Sequence, residues 1–403
     1  MTNKKNDTIW TKGFICVLTA NTCMSLAQFS VNTYVSTYMK FLGTTAIITG
    51  LIAGLFYGVA FVLRPFSGPA ITIFNKKRLM IIVYAFAALI NLGYALFPSV
   101  SMFVVMRTLH GVQLAFYGSL ALTVASESLP DHKMASGLGI YGLSGIFARA
   151  FGPGIASYVK NLGEMHWGTE GGFTAIFLLA AFFASASVIP CTLLPNKEIS
   201  KEERSSLGAW YKNIVAKEAL VPSCVMMLIS MTSVLLNTYL IPYSEWRDIS
   251  GISMYFTVQA AVTVVTRPVI GKMIDKYGPA KIFYPGIMVY LCSYLSIAFA
   301  SNLTLILAGA VFAAIGQGAT TPALQTMAIK SVPAHKRGVA SNTNYFGVDL
   351  GNFLGPSVSG FILTYFNYSV MFILTAVPLS FAAAIFALGW NSYNKNTVSN
   401  LQE

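Results

Sequence analysis

Long apolar stretches, each about twenty residues in length, follow one another along almost the whole chain. A helix rises about 1.5 Å per residue, so about 20 apolar residues cross the roughly 30 Å hydrocarbon core of a bilayer. Because only helices and closed barrels satisfy every backbone group in lipid, these stretches predict spanning helices. We place twelve of them, at about 13–38, 44–63, 79–97, 99–124, 134–158, 172–194, 216–240, 250–270, 279–300, 303–329, 338–363 and 367–389.

The composition excludes most alternatives to an integral membrane protein. Of the 403 residues, 55% are apolar and only 10% are charged, whereas a soluble domain carries about 25% charged residues. So few charges could not cover the surface of a soluble protein of this length. The five cysteines lie inside apolar stretches and match neither disulfide nor zinc spacing, so we expect small buried hydrophobes there.

The net charge of +12 arises from basic clusters between the apolar stretches, which does not indicate a nucleic-acid partner. If both termini are cytoplasmic, the cytoplasmic segments carry 19 Lys and Arg residues and the outer loops carry three. This asymmetry follows the positive-inside rule. We therefore predict a multi-pass protein of the cytoplasmic cell membrane, with both termini in the cytoplasm and the lipid bilayer as its surroundings.

The two halves of the chain repeat each other. A single shift of 203 residues, without gaps, superimposes loops and helix motifs of the first half on those of the second. We predict an N-terminal six-helix bundle at 1–194, a cytoplasmic linker at 195–215 and a C-terminal six-helix bundle at 216–403. Many secondary transporters are built from such repeats and hold substrate near the midplane. The shift pairs Arg64-Pro65 with Arg267-Pro268, Gly68 with Gly271, Pro130 with Pro333, and Gly152-Pro153 with Gly355-Pro356.

The loop motif between the second and third helices of each half resembles that of the major facilitator superfamily, and the resemblance covers essentially the whole chain. The family pattern is Gly-x-x-x-Asp-x-x-Gly followed by basic residues. The second half matches it with Gly271, Asp275, Gly278 and Lys281. The first half keeps Gly68 but has Thr72 and Asn75 in place of the acid and the second glycine.

The resemblance implies two pseudo-symmetric six-helix bundles, an all-α membrane fold that transports by alternating access. A carboxylate between bases at a helix end can form a charge network that breaks and reforms as the halves rock. The missing acid at Thr72 leaves such a network doubtful in the first half. Alternatively, the basic residues serve membrane topology alone.

The fourth helix carries Arg107, His110 and Gly111, which resemble the family motif Arg-x-x-x-Gly. An arginine about nine residues into a span is costly in lipid, so we expect it to face the bundle interior or a cavity. In efflux branches of the family this arginine is thought to influence protonation of a nearby acid. A structural arginine bound to backbone carbonyls, and a histidine that serves packing, are the alternatives.

The fifth and eleventh helices carry similar motifs of small residues with a Gly-Pro step. They contain Arg149, Gly152 and Pro153 in the first half, and Gly355 and Pro356 in the second. Small residues let helices approach closely, and a proline loosens the helix. In the family this motif is associated with exporters, although close packing without a meaning for transport direction is equally open.

Asp349 is the carboxylate that the sequence places near the middle of a span, about twelve residues into the eleventh helix. The residue at the matching repeat position is Ile146, so the repeat does not require an acid there. Burial raises the pKa of a carboxylate, and a neighbouring arginine lowers it. A pKa that can be tuned in this way suits proton coupling. A role in coupling or substrate binding and a structural role both remain open, as does pairing with Arg107 or Arg149.

Further polar side chains lie at helical spacing within the spans. Because polar groups facing lipid are costly, we expect them to face inward and to line a pathway or contact one another. The candidates are Asn21, Gln28, Asn32, Tyr34, Asn237, Tyr239, Gln259, Gln317, Gln325 and Asn344.

We expect a secondary transporter, without a cofactor or metal, that exports small organic molecules in exchange for protons and works as a monomer. The alternative is a carrier or exchanger of an anionic metabolite, with a carboxylate held by Arg107, Arg149 and Arg267. An enzyme is not expected, since the spans lack a metal cluster, a nucleophile with its base, and a phosphate-binding loop.

Overall fold

The computed structural model describes residues 8–44, 46–196 and 214–400. Within these ranges the chain is helical and contains no strand, which confirms the expected all-α fold. Several helices begin after a Ser, Thr or Asn side chain that accepts a backbone N–H of the first turn and so satisfies a donor that the helix itself leaves open. These capping residues are Thr11, Asn75, Ser99, Asn302 and Asn367.

The first half of the described chain contains α1 (Lys12–Phe41), α2 (Ala46–Ile73), α3 (Lys76–Leu96) and α4 (Val100–Glu127). A helical run from Met134 to Thr192 follows, and Gly168 interrupts it with a φ of 70° and a ψ of −174°. We number the part at 134–167 α5 and the part at 169–192 α6. In this half α4 packs against α1, α2 and α3.

The second half contains α7 (Leu220–Trp246), α8 (Ser253–Tyr277), α9 (Pro279–Ala298), α10 (Leu303–Lys330), α11 (Arg337–Tyr365), α12 (Tyr368–Leu374) and α13 (Ala376–Asn400). The helix α10 packs against α7, α8 and α9, and α11 packs against α7. The core here is rich in tyrosine, with the fully buried rings of Tyr243, Tyr255, Tyr290 and Tyr294.

The chain forms two compact units. Unit 1 comprises Met1–Ser128 and Ser144–Trp210, and unit 2 comprises Leu129–Leu143 and Tyr211–Glu403. The start of α5 thus packs with the second half of the chain. The predicted boundaries at 194 and 216 stay a prediction, and most of the predicted linker, 197–213, lies outside the described residues.

Eight segments of the described chain are long and apolar enough to cross a membrane, and one of them, Asp131–Thr192, contains both α5 and α6. The helices α4, α8 and α11 are not among the eight. They carry Arg107, Arg267 and Asp349, and such charges lower the hydropathy of a helix. A helix lies at each of the twelve predicted positions, while the number of membrane crossings stays a prediction.

Two predicted boundaries are wrong. The expected loop between 158 and 172 is helical up to Gly168, so that Lys160 lies in α5 and pairs with Glu164 one turn later. At 1.5 Å per residue, α5 extends for about 50 Å, well beyond the hydrocarbon core. The expected last helix is broken at Thr375, three residues before Pro378, whose ring nitrogen cannot donate a hydrogen bond to the preceding turn.

The helices α7 and α11 come into backbone contact along three glycines of α11, which we call the glycine seam: Gly347, Gly351 and Gly355. A Cβ atom at any of them would overlap a carbonyl oxygen of α7. Glycine at four-residue spacing lies on one helix face, which is how membrane helices pack most closely. The overlapping carbonyls belong to Ser223, Met227 and Met231 respectively.

We expect Gly351→Ala to lower the free energy of unfolding by about 1–3 kcal/mol, because its methyl group forces α7 and α11 apart. The matched control is Gly58→Ala in α2, since a Cβ atom there would meet no other described atom within 4 Å. Alanine favours a helix over glycine, so this control keeps or gains stability. Unfolding in mixed micelles, followed by circular dichroism, gives the free energy of unfolding of both variants. An equal loss of stability in the two would contradict close helix packing at the glycine seam.

Candidate functional site

Arg107 of α4 is buried in unit 1, with 2% of its surface exposed. Its Nη1 donates a hydrogen bond of 2.9 Å to Oδ1 of Asn32 on α1, and its Cζ lies 4.5 Å from the ring centroid of Phe56 on α2. The guanidinium is thereby held between two helices, by an amide oxygen and by an aromatic face. This placement agrees with the expectation that it faces the bundle interior.

His110 lies one turn further along α4, on the same helix face as Arg107. Its ring packs edge-on against Phe56 at 4.8 Å between centroids, and its Nδ1 lies 3.4 Å from the hydroxyl of Tyr94 on α3. Gly111 permits this packing, because a Cβ atom there would lie 2.9 Å from the carbonyl oxygen of Phe56. The motif therefore combines a cation with the glycine that lets α2 approach.

Arg149 of α5 is exposed within its span, and its Cζ lies 5.3 Å from the ring centroid of Phe29 on α1. One turn later, Gly152 brings α5 against α1, since a Cβ atom there would lie 3.3 Å from the Cβ of Phe29. Phe29 and Asn32 are three residues apart and share one face of α1. The guanidinium groups of Arg107 and Arg149 are thus held on neighbouring positions of the same helix face.

Arg64, which the repeat pairs with Arg267, is buried inside unit 1 and joins α2 to α4. Its Nη1 donates to the carbonyl oxygen of Ala115 at 2.9 Å and to Oγ of Ser119 at 3.2 Å. These bonds within the bundle are those of an arginine that holds two helices together.

In unit 2, the carboxylate of Asp275 caps the N-terminus of α5. Its Oδ1 accepts the N–H of Ala135 at 2.9 Å, while its Oδ2 accepts the N–H of Ser136 at 2.9 Å and the Ser136 hydroxyl. Gly271 allows this approach, because a Cβ atom there would lie 2.7 Å from the Cα of Ser136. An anion at a helix N-terminus is stabilised by the first N–H groups and the helix dipole.

The rest of this motif fixes the turn between α8 and α9. Gly278 ends α8 and precedes Pro279 at the first position of α9, with a φ of 88° that favours glycine. Lys281 is exposed on the first turn of α9. The motif thus consists of a glycine for close approach, an acid for the cap and a glycine for the turn.

The corresponding segment of unit 1 is built differently. Thr72, which stands in place of Asp275, is buried and donates its hydroxyl to the carbonyl oxygen of Gly68 in its own helix at 3.0 Å. Asn75, in place of Gly278, caps α3 by accepting the N–H of Arg78 at 3.0 Å. Gly68 itself is buried in α2.

Two further contacts in unit 2 involve charged side chains near the starts of α5 and α11. The guanidinium of Arg267 lies directly against Gly142, where a Cβ atom would overlap Nη1. Arg337, the first residue of α11, forms an ion pair of 2.7 Å with Asp131. In unit 1, a comparable ion pair of 3.1 Å joins Lys76 to Glu127.

Asp349 is buried in the middle of α11, with 5% of its surface exposed. It lies two residues from both Gly347 and Gly351, and at 3.6 residues per turn this is about 200° around the helix from the seam. Its carboxylate therefore extends from the face of α11 opposite to α7. Gly355 belongs to the seam, and the carbonyl oxygen of Pro356 accepts the hydroxyl of Tyr239 at 3.0 Å.

The remaining polar candidates differ in their surroundings. Asn21 is buried and donates its amide to the hydroxyl of Ser144, whereas Asn237 is exposed and donates to the carbonyl oxygen of Ser233 in its own helix at 3.3 Å. Asn344 is fully buried, and its amide has no hydrogen-bond partner among the described residues. The half-buried candidates are Gln28, Asn32, Tyr34, Tyr239, Gln259, Gln317 and Gln325.

Several partners of these residues are not predicted by the sequence. Phe56 and Tyr94 complete the surroundings of Arg107 and His110, and Ser136 donates hydrogen bonds to the carboxylate of Asp275. No motif marks them, because a phenylalanine, tyrosine or serine inside an apolar stretch reads as ordinary packing. The repeat gives one indication. Asp275 stands where the first half has Thr72, and Asp275 caps a helix start whereas Thr72 does not.

The comparisons with known proteins agree with this architecture. The sequence model of the Major Facilitator Superfamily matches residues 17–258 and 223–401. The chain is similar to the multidrug resistance protein MdtG of Salmonella schwarzengrund (strain CVM19633). The two are 22% identical over 411 aligned positions, which cover 98% of this chain and 97% of MdtG.

Two solved structures share the fold at 13% sequence identity. The human organic anion transporter MFSD10 (TETRAN) gives a TM-score of 0.74 over 93% of this chain and 98% of its own. FucP, a major facilitator transporter in its outward conformation, gives the same score and coverage. With the family match along almost the entire sequence, these findings establish that the chain belongs to the Major Facilitator Superfamily, a family of membrane transporters and not of enzymes.

Proposed function

We propose that this transporter exports small organic molecules in exchange for protons across the cytoplasmic cell membrane, as a monomer with both termini in the cytoplasm. The similarity to MdtG, named a multidrug resistance protein, along nearly the full length supports efflux. The basic residues between the spans support the orientation.

The burial of Asp349 in the middle of α11 is the observation that carries the proposal. A carboxylate at the centre of a span is costly, and such residues mark ion and proton pathways. Protonation removes the charge and with it most of this cost. Binding and release of a proton at Asp349 therefore changes the free energy of α11 directly, on the face opposite to the glycine seam.

The Asp275 cap supplies a contact that can break during transport. It joins the end of α8 to the start of α5 through hydrogen bonds to a charged group, each of which contributes about 1.5–3 kcal/mol. A contact of this strength is enough to favour one state of a rocking transporter and weak enough to be released in each cycle.

A second candidate function is the carriage of an anionic metabolite such as a carboxylate. The specific observation in its favour is the placement of Arg107 and Arg149 on neighbouring positions of one face of α1. A carboxylate between two guanidinium groups gains charge-assisted hydrogen bonds. The structural neighbour MFSD10 is named an organic anion transporter.

We expect Asp349→Asn to abolish proton movement driven by substrate while exchange of labelled for unlabelled substrate continues, because the amide imitates the protonated acid. Proteoliposomes with a lumenal pH dye, tested with a panel of cationic drugs and organic anions, measure both activities. Asp349→Glu, which retains a carboxylate, restores part of the proton signal.

The matched control is Glu164→Gln, which neutralises an acid of the Lys160 ion pair at the far end of α5. This variant keeps normal proton movement. If Asp349→Asn leaves proton movement intact, or if substrate moves without any proton signal in the unmodified protein, proton coupling through Asp349 is wrong.

We expect Asp275→Asn to accelerate hydrogen exchange of the Ala135 and Ser136 amides about ten- to hundredfold, because these N–H groups have no acceptor within their own helix. Hydrogen–deuterium exchange with mass spectrometry in lipid nanodiscs measures this. The control Thr72→Val changes the equivalent repeat position, whose hydroxyl bonds its own helix, and leaves exchange at the start of α11 unchanged. If these amides exchange at the same rate in Asp275→Asn and in the unmodified protein, the Asp275 cap is not a gating contact.

We expect Arg149→Ala to raise the KM for anionic compounds about tenfold or more if the second candidate is correct, since a charge-assisted hydrogen bond is lost. Cationic compounds with the same apolar body keep their KM. The control Lys160→Ala removes another cation from α5 and has no such effect. An unchanged KM for every anion in the panel would exclude the second candidate.

A further inference from the structure

A cavity of about 350 Å³ lies inside unit 2, between α7, α11 and the break that separates α12 from α13. This volume falls within the range of ligand-binding pockets, about 300–1,000 Å³. Its walls include Leu235 of α7, Ser359 and Ile362 of α11, and Met371 and Thr375 at the break.

The walls offer nothing to a charged ligand. None of the residues that line the cavity is acidic or basic. Its two threonine hydroxyls are engaged within their own helices: Thr232 donates to the carbonyl oxygen of Ile229 at 2.8 Å, and Thr375 donates to that of Phe372 at 2.5 Å. A buried water needs two to four polar partners, so the cavity favours an apolar occupant.

The cavity opens on the outer surface of the helix bundle. Its deep wall is buried, as Leu235, Ser359 and Met371 show. Its rim is formed by large apolar side chains that are exposed: Val358, Leu374, Val377 and Phe381. In a chain that spans a bilayer, such a surface faces the hydrocarbon of the lipid and not water.

The depth of the cavity also falls within the hydrocarbon. The rim residues Leu374 and Phe381 lie six and thirteen residues after the start of α12 at Tyr368, or about 9–20 Å along the helix axis. Thr375 and Pro378 interrupt the helix at this depth, and both residues line the cavity.

We propose that this cavity binds the acyl chain of a bilayer lipid, inserted sideways past the exposed apolar rim. The acyl chain is the apolar molecule that the rim contacts, and it needs none of the polar recognition that the walls lack. It packs beside Ser359, one turn beyond the Gly355-Pro356 step, and thus fixes the outer part of α11.

The test uses the full-length protein in bilayers that contain a phosphatidylcholine with a diazirine in the middle of one acyl chain. After illumination, mass spectrometry identifies the labelled residues. We expect label on the buried wall, at Met371 and Leu235, as well as on Leu388, which is 84% exposed and reports ordinary surface lipid. Label on Leu388 and the exposed rim alone would overturn the proposal.

Two variants fill the cavity from different helices, Ser359→Phe on α11 and Thr375→Leu at the break. Each is expected to lose the label on the buried wall and to keep it on Leu388, while Ala384→Phe, at an exposed position of α13, changes neither. If one variant fails to fold, the other decides. If a folded variant with a filled cavity keeps the label on the buried wall, the proposed site is wrong. It is also wrong if an uncharged aromatic diazirine compound labels the wall and the lipid probe does not.

Discussion

The cost of placing a charge in hydrocarbon governs how this chain is built. Arg64, Arg107 and Arg267 lie within helices, yet each is almost completely buried, and each packs against a specific neighbouring helix. A guanidinium can be kept there because carbonyls, amide oxygens, aromatic faces and close glycine backbones replace water around it. The helices that carry these groups are therefore fixed by polar contacts as well as by apolar packing. The packing of the helices in the bundle therefore depends on where each buried charge finds polar or aromatic neighbours.

Glycine determines how close two helices can come, and two of the close approaches lie beside a charged group. Gly111 brings α4 to the helix that holds Phe56 beneath Arg107, and Gly271 brings α8 to the amides that Asp275 caps. The glycine seam brings α11 onto α7 while Asp349 lies on the opposite face. Close backbone contact fixes how these helices lie against each other, and side chains pack around the contact between α7 and α11.

The sequence predicts the class of fold well because hydropathy and charge follow directly from the requirements of a bilayer. All twelve apolar stretches become helices, the internal repeat indicates that Gly271 and Gly355 occupy special positions, and the resemblance to the family loop motif indicates Asp275. Prediction fails where one residue decides the geometry. Polar residues near Lys160 resemble a loop, yet the helix continues to Gly168 and Lys160 pairs with Glu164 inside it. The partners of Arg107 include residues of two other helices, α1 and α2, and no local pattern in a sequence specifies contacts at such separation.

Some polar groups of the spans occur in one half only. Arg107 and His110 correspond to Ala310 and Ala313, and Asp349 corresponds to Ile146. Both units contain a buried arginine, Arg64 in unit 1 and Arg267 in unit 2, whereas among the described residues the one carboxylate buried within a span, Asp349, belongs to unit 2. In the function proposed above, a proton at Asp349 acts on unit 2 alone, so the two units differ in the way that coupled movement of two solutes would use.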